Sequence, residues 1–292
     1  MRTAAVFVAC SLGAALLAGC GSEKRLPDAV IVPQDDPKEA GPQVPKASEE
    51  EAKKIVDRCL KAASGGDSAK LAKLRTVRII QSGSMQLGGN EQAGPGAVLR
   101  YETARTVEVV WPDRARQDDV FQKKEMPHLS AGIRWPEVWF AQERDGESKW
   151  FHPSQADERL SRAEFVANVW LPLLVPLTDP NTIVVDARKI TVGKDTVDVI
   201  QAYIRDCPPF TLWFDPATGT LTRASFAVTD GSHTIHGFIV AGDYKSFDGL
   251  QLPSRIGYVK GDVQVAEWKW EKIEFLDKID PARFDPPREE KK

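Results

Sequence analysis

Between residues 76 and 275 apolar and polar side chains alternate with a period of two, and glycine, proline or aspartate breaks the alternation at short intervals. A period of two sends successive side chains to opposite faces of a strand, so this stretch is committed to a sheet with one apolar face. Residues 76–87, 97–111, 114–124, 137–143 and 147–152 read as strands, followed by 182–192, 196–206, 210–215, 220–229, 233–246, 252–260 and 263–275. The turns are Pro112-Asp113, Asp145-Gly146, Gly193-Lys194, Pro216-Ala217-Thr218-Gly219, Asp230-Gly231, Asp248-Gly249 and Gly261-Asp262. These residue types favour tight reversals, so the expected sheet is an antiparallel meander.

Helical periodicity appears in three places. Ser48 with Glu51 three residues later forms a capping pattern, and Ile55, Cys59, Leu60 and Ala63 make an apolar stripe that stops at Gly65-Gly66. A short helix over 67–74 follows, capped by Asp67 or Ser68. Mid-chain, residues 161–174 place Phe165, Val166, Val169, Trp170, Leu173 and Leu174 three and four apart behind Ser161, and Pro172 predicts an end near Leu171. The fold class expected is α+β, a large and strongly curved antiparallel sheet with helices packed on or plugging its concave face. No repeat of fixed period and no composition break divides residues 49–287, which form one domain; residues 288–292 are a charged tail.

The first 48 residues differ. Residues 1–19 carry Arg2 and then an apolar, small-residue run, too short for the ~20 residues of a membrane span, and end before Cys20. The order of basic start, apolar run and Leu17-Ala18-Gly19-Cys20 resembles a bacterial lipoprotein signal. That resemblance implies cleavage before Cys20 and acylation of its thiol. Serine at position 22, where that pattern would place aspartate for retention, points to the outer membrane. Residues 20–48 are rich in proline and charge and read as a tether. With Cys20 lipidated, Cys59 and Cys207 remain, either as one disulfide in an oxidising compartment or as two separately buried thiols.

The 39 basic and 42 acidic residues give a formal net charge of -3, without the basic field that draws a chain to nucleic acid. The 4 histidines do not converge: His128 and His152 lie beside prolines, and the spacing of His233 and His236 sends them to opposite strand faces. Neither a nucleophile elbow, a phosphate loop, a dinucleotide fingerprint nor a zinc-protease motif is present. Asp118-Asp119 are adjacent and therefore on opposite faces, which makes them solvated charges rather than a catalytic pair. No metal, cofactor or catalytic residue is expected. What stands out is aromatic content on the strands. A curved sheet left partly open by its helices forms a concave apolar cavity, for which Val109, Trp111, Phe140, Trp170 and Trp213 are the candidate lining.

Residues Phe210 to Leu221, FTLWFDPATGTL, and Asp243 to Ile256, DYKSFDGLQLPSRI, resemble strand–turn–strand signatures of the lipoprotein-localisation carrier superfamily, the LolA/LolB-like fold. Asp280-Pro281-Ala282-Arg283-Phe284 resembles its ending. Asp215, Gly219, Asp248 and Gly249 are the turn residues of these signatures: each aspartate can bond its own turn backbone, and each glycine sits beside a tight turn. The resemblance implies a half-open β-barrel with helices as a lid, no catalysis, and an acyl chain or other hydrophobic ligand in the concave face. It also implies a monomer on the periplasmic face of the outer membrane. An envelope structural or protein-interaction lipoprotein on the same scaffold is the alternative, and an exported hydrolase a more distant one.

Overall fold

The computed structural model describes residues 46–88, 98–230 and 233–287. The signal segment, Cys20, the tether up to residue 45, the Asp230-Gly231 turn glycine and the charged tail lie outside the described residues. The elements are α1 (Lys46–Ser64), α2 (Ser68–Ala72), β1 (Thr76–Gly88), β2 (Val98–Val110), β3 (Arg114–Phe121), β4 (His128–Arg134), β5 (Glu137–Arg144) and β6 (Glu147–Phe151). Next come α3 (Gln155–Phe165), β7 (Ile183–Val192), β8 (Asp195–Tyr203), β9 (Phe210–Phe214), β10 (Leu221–Asp230), β11 (His233–Phe247), β12 (Leu250–Lys260) and β13 (Val263–Phe275).

All the strands belong to one sheet in the order β6-β5-β4-β3-β2-β1-β13-β12-β11-β10-β9-β8-β7, with antiparallel neighbours throughout. Two meanders are thus sewn together where the first strand meets the last, with Val77 opposite Phe275. The sheet is not closed: β6 and β7 are its edges. The chain between those edges, residues 152–182, therefore has to cross from one side of the sheet to the other, and it does so over the concave face. The strand at β4 has no counterpart in the sequence reading. Gly132 at its centre gives weak strand character but is required, because the Trp139 ring lies where a Cβ at 132 would stand.

The helices explain themselves locally, with two corrections. Asp67 caps α2 by accepting from the Ala69 N–H. Ser48 lies inside α1 rather than at its cap, and its hydroxyl accepts from the Ala187 N–H. That amide is freed by a bulge in β7 between Val185 and Arg188, where Asp186 has a φ of 57°. α1 thereby covers the β7 edge while Ala52, Ile55, Val56, Cys59 and Ala63 enter the core. The mid-chain helix begins at Gln155, six residues earlier than Ser161 implied. Ser154 is its cap, accepting from the Asp157 N–H at 3.3 Å, and Ser161 instead donates to the Asp157 carbonyl.

The turn residues dock helices onto the sheet. Asp215 accepts from the Ala217 and Thr218 N–H groups, and Gly219, at φ 76°, lies so close to Arg58 and Ala62 of α1 that a side chain there would crowd them. Asp248 and Gly249 both have positive φ, as a two-residue hairpin requires, and Lys73 donates to Asp248 at 2.9 Å.

On the convex face, the chain after β13 turns back as a strap over β3 and β4. Phe284 is fully buried there, and its carbonyl accepts from Trp139 Nε1 at 2.9 Å. Arg283 donates to Glu108, a carboxylate only 1% exposed that also accepts from Arg78, while Arg116 donates to the Arg283 carbonyl. Arg134 holds Asp285 at 2.7 Å.

Candidate functional site

The concave face near the strand ends that meet α1 and α2 is lined by Val77, Ile79, Val107, Val109, Ala115 and Ile133, all buried. The crossing segment fills the space above them. After α3 the helix widens into a π turn over Val166–Trp170, Leu174 adopts a left-handed φ of 60°, and a 3₁₀ turn runs Val175–Thr178. Val166, Ala167, Val169, Trp170, Leu171, Leu173, Leu174 and Val175 are all buried. A run this apolar all round belongs in a core, and here it acts as a plug in the concave face.

The plug is held by polar contacts at its start. Glu164 of α3 accepts from the Tyr258 hydroxyl at 2.6 Å and from Lys260 at 3.2 Å, both on β12, and Arg162 donates to the Pro136 carbonyl at 3.3 Å. Deeper in, partners are lacking. Among the described residues the indole N–H groups of Trp111 and Trp170 and the Arg162 Nε are buried without an acceptor, and Asn168 Oδ1 is buried without a donor. Most buried polar atoms in folded proteins are paired, so such a concentration at one interface is a distinctive feature.

Of the five candidate lining residues, Val109, Trp111 and Phe140 stand on this face and Trp170 lies in the plug above it. Val109 is fully buried beneath the plug, and Trp111 packs edge-on to Trp170 with ring centroids 5.0 Å apart. Phe140 is packed against the core and stacked on Phe151 at the β6 edge. Trp213 does not join them. On β9 the side chains of Phe210, Leu212 and Phe214 enter the core, which turns Trp213 to the convex face, where Arg223 lies over its ring at 5.0 Å and over Phe238 at 3.9 Å. Burial there lowers the Arg223 pKa to about 10. The space at the fifth position is thus closed off by the sheet itself.

Cys59 and Cys207 are free thiols, so the disulfide alternative falls. They occupy different neighbourhoods: Cys59 faces the core from α1 beside Leu221, and Cys207 lies after β8 near Arg162 and Arg205. Burial pushes each thiol up to about 12, leaving it unreactive.

Sequence reasoning missed a polar row at mid-height on the concave face. Register aligns Asp119 of β3, Arg105 of β2, Gln81 of β1 and Trp270 of β13. Asp119 is not the solvated charge expected; it is buried and binds Arg105 through two bonds of 2.7 and 2.9 Å, while Asp118 faces the other way. The Arg105 guanidinium stacks on Trp268 at 3.7 Å, beside Gly83, where a side chain would run into the Glu267 carbonyl and then that ring. Gln81 Oε1 is buried and unpaired. Among the described residues no group of three or more metal-ligating side chains converges, and no helix is long and apolar enough to cross a membrane. The grooves on the surface are shallow, one of about 250 Å³ lying between α1 and the Leu177–Pro180 turn.

No family model matches the chain, and no curated protein matches it. Among solved structures, a LolA superfamily protein from Nitrosomonas europaea superposes on 80% of this chain and 97% of its own, with a TM-score of 0.52 at 10% identity. The fold is LolA-like. Two further structures overlap it less well: a DUF1329 family protein from Desulfovibrio piger (TM-score 0.49, 8% identity, 82% of this chain and 97% of that one) and an outer membrane lipoprotein-sorting protein domain from Vibrio parahaemolyticus (TM-score 0.46, 10% identity, 82% and 97%). At this identity the likeness speaks to the fold alone.

Proposed function

We propose that the chain is a noncatalytic envelope lipoprotein, anchored through acylated Cys20 on the periplasmic side of the outer membrane, that takes an acyl chain or similar hydrophobic ligand into its concave face. Residues 1–19 act as the signal, 20–45 as a tether, and 46–287 as the binding domain, working as a monomer. The observation that carries this reading is the plug: an apolar concave surface covered by a broken helix in which the Trp170 indole and the Asn168 oxygen are buried without partners. A cover of this kind is less firmly held than a well-paired one, because each unpaired buried group costs about 1–3 kcal/mol that release into water or ligand recovers. A hydrophobic ligand would take the place of Val166 to Val175 over Val107, Val109 and Trp111.

The test is mass spectrometry of an organic extract of the gently purified protein. Acyl lipid recovered in stoichiometric amount is expected, and a clean extract overturns the reading. Replacing Cys20 with serine is expected to release the protein from the membrane fraction; unchanged, detergent-dependent partitioning overturns the anchor. One observation favours the second reading, an envelope interaction protein. The β6 edge pairs only with β5, and Phe151 at its end is 56% exposed, whereas α1 covers the β7 edge.

A further inference from the structure

We infer that the polar row Asp119–Arg105–Gln81 is a head-group subsite for a long-chain amphiphile whose head is neutral and carries both a hydrogen-bond donor and an acceptor, as an amide does. This rests on the concave face being the ligand site.

The row holds a buried ion pair in a surface that is mostly apolar, and such a pair stabilises a fold little compared with well-packed hydrophobic side chains. Its retention calls for another role. Asp119 occupies two of the guanidinium nitrogens of Arg105, Nε and Nη2, and fixes the group flat against Trp268. Among the described residues Nη1 has no hydrogen-bond partner, and it is a donor. Directly opposite in the β1–β2 register stands Gln81, 5% exposed, with its Oε1 unpaired, and that atom is an acceptor. Cβ atoms of directly opposed residues lie about 5 Å apart, so donor and acceptor come from neighbouring side chains on one face. An amide fits both: its carbonyl takes Arg105 Nη1 and its N–H gives to Gln81 Oε1. A carboxylate meets only the first of these, accepting from Nη1 but giving nothing to Gln81 Oε1. Asp119 already neutralises the arginine, and a deprotonated acid offers Gln81 no proton.

Tail length follows from the strand. On the same face of β2, Val107, Val109 and then Trp111 continue from Arg105 toward the end under the plug. Six residues of strand span about 20 Å, the length of a long fatty acyl chain. Head and tail then lie along one strand, the tail where the plug now sits.

The experiment titrates decanamide, decanol and decanoate, each below its micelle concentration, into the full chain carrying Cys20→Ser, so that no acyl group at that position competes. Tryptophan fluorescence reads binding. Decanamide is expected to bind about tenfold more tightly than decanoate, with decanol between. Gln81→Leu is expected to bring the amide down to the alcohol while leaving thermal stability unchanged or raised, since it removes an unpaired buried acceptor. A stability change without a change in ranking would mark a merely structural glutamine and overturn the subsite, and so would equal binding of all three compounds by the unmodified row. Binding of none of them overturns the concave-face reading itself, and the subsite with it.

Discussion

The N-terminal strands β1 to β5 are covered on both faces, and the two covers are built differently. On the convex side the strap of Arg283 and Phe284 is tied by charge-assisted and indole hydrogen bonds to Glu108, Arg116 and Trp139. On the concave side the plug buries more apolar surface, yet it leaves the indoles of Trp111 and Trp170 and the Asn168 oxygen without partners. Apolar contact is non-directional and exchangeable for any other apolar surface, whereas a satisfied polar network has one solution. The strap is therefore a fixed cover, and the plug is one that a ligand can replace.

The largest effect should come from cutting the strap. Phe284→Ala empties a fully buried site and is expected to cost about 4 kcal/mol of stability, measured by chemical denaturation, with ligand binding per folded molecule unchanged. A loss below about 1 kcal/mol would break the contrast. A matched pair sharpens it. Trp139→Phe leaves the Phe284 carbonyl without its donor and should cost about 2 kcal/mol, while Trp170→Phe deletes an N–H that has no acceptor and should cost at least about 1 kcal/mol less. Equal costs would show the two covers to be alike.

Smaller effects test the latch and the network. Glu164→Gln weakens the bonds from Tyr258 and Lys260, and a loss of about 1 kcal/mol with severalfold tighter ligand binding is expected from parallel melting and titration. Weaker binding would mean that Glu164 serves the ligand rather than the plug. Burial pushes the Asp118 carboxyl up, but hydrogen bonds from Arg116 and Ser130 and the nearby His128 outweigh it and hold the carboxyl below its ordinary value. A depressed folded value stabilises the protein above the unfolded carboxylate range and ceases to do so as the pH falls through the folded value. Asp118→Asn should thus cost up to about 1 kcal/mol at neutral pH and converge with the parent protein in acid; a gap that persists in acid would assign the loss to packing instead.

The sheet was legible because alternation and turn chemistry are local. Asp145-Gly146 and Asp248-Gly249 adopt the positive φ values their sequence advertises. Parity is the limit of that signal. All five residues of β9 are buried, so nothing in FTLWF says whether Trp213 or Leu212 faces the core. Ser154 with Asp157 three residues on was a readable cap, but the apolar stripe further along drew the helix start to Ser161. The Asp119–Arg105–Gln81 row was out of reach, since its members are brought together only by register between strands. The ending at Phe284 was recognisable as text, while the face it covers depends on where the sheet leaves room.

The seam between β1 and β13 also governs when the protein can exist as a folded object. Val77 finds Phe275 only after the intervening residues 78–274 are available, and closing so long a loop is a slow, entropy-limited event. If residues 1–19 direct export, β1 is exported before its partner β13 has emerged. The last strand to arrive then joins the two meanders, so the sheet is complete only once residue 275 is available.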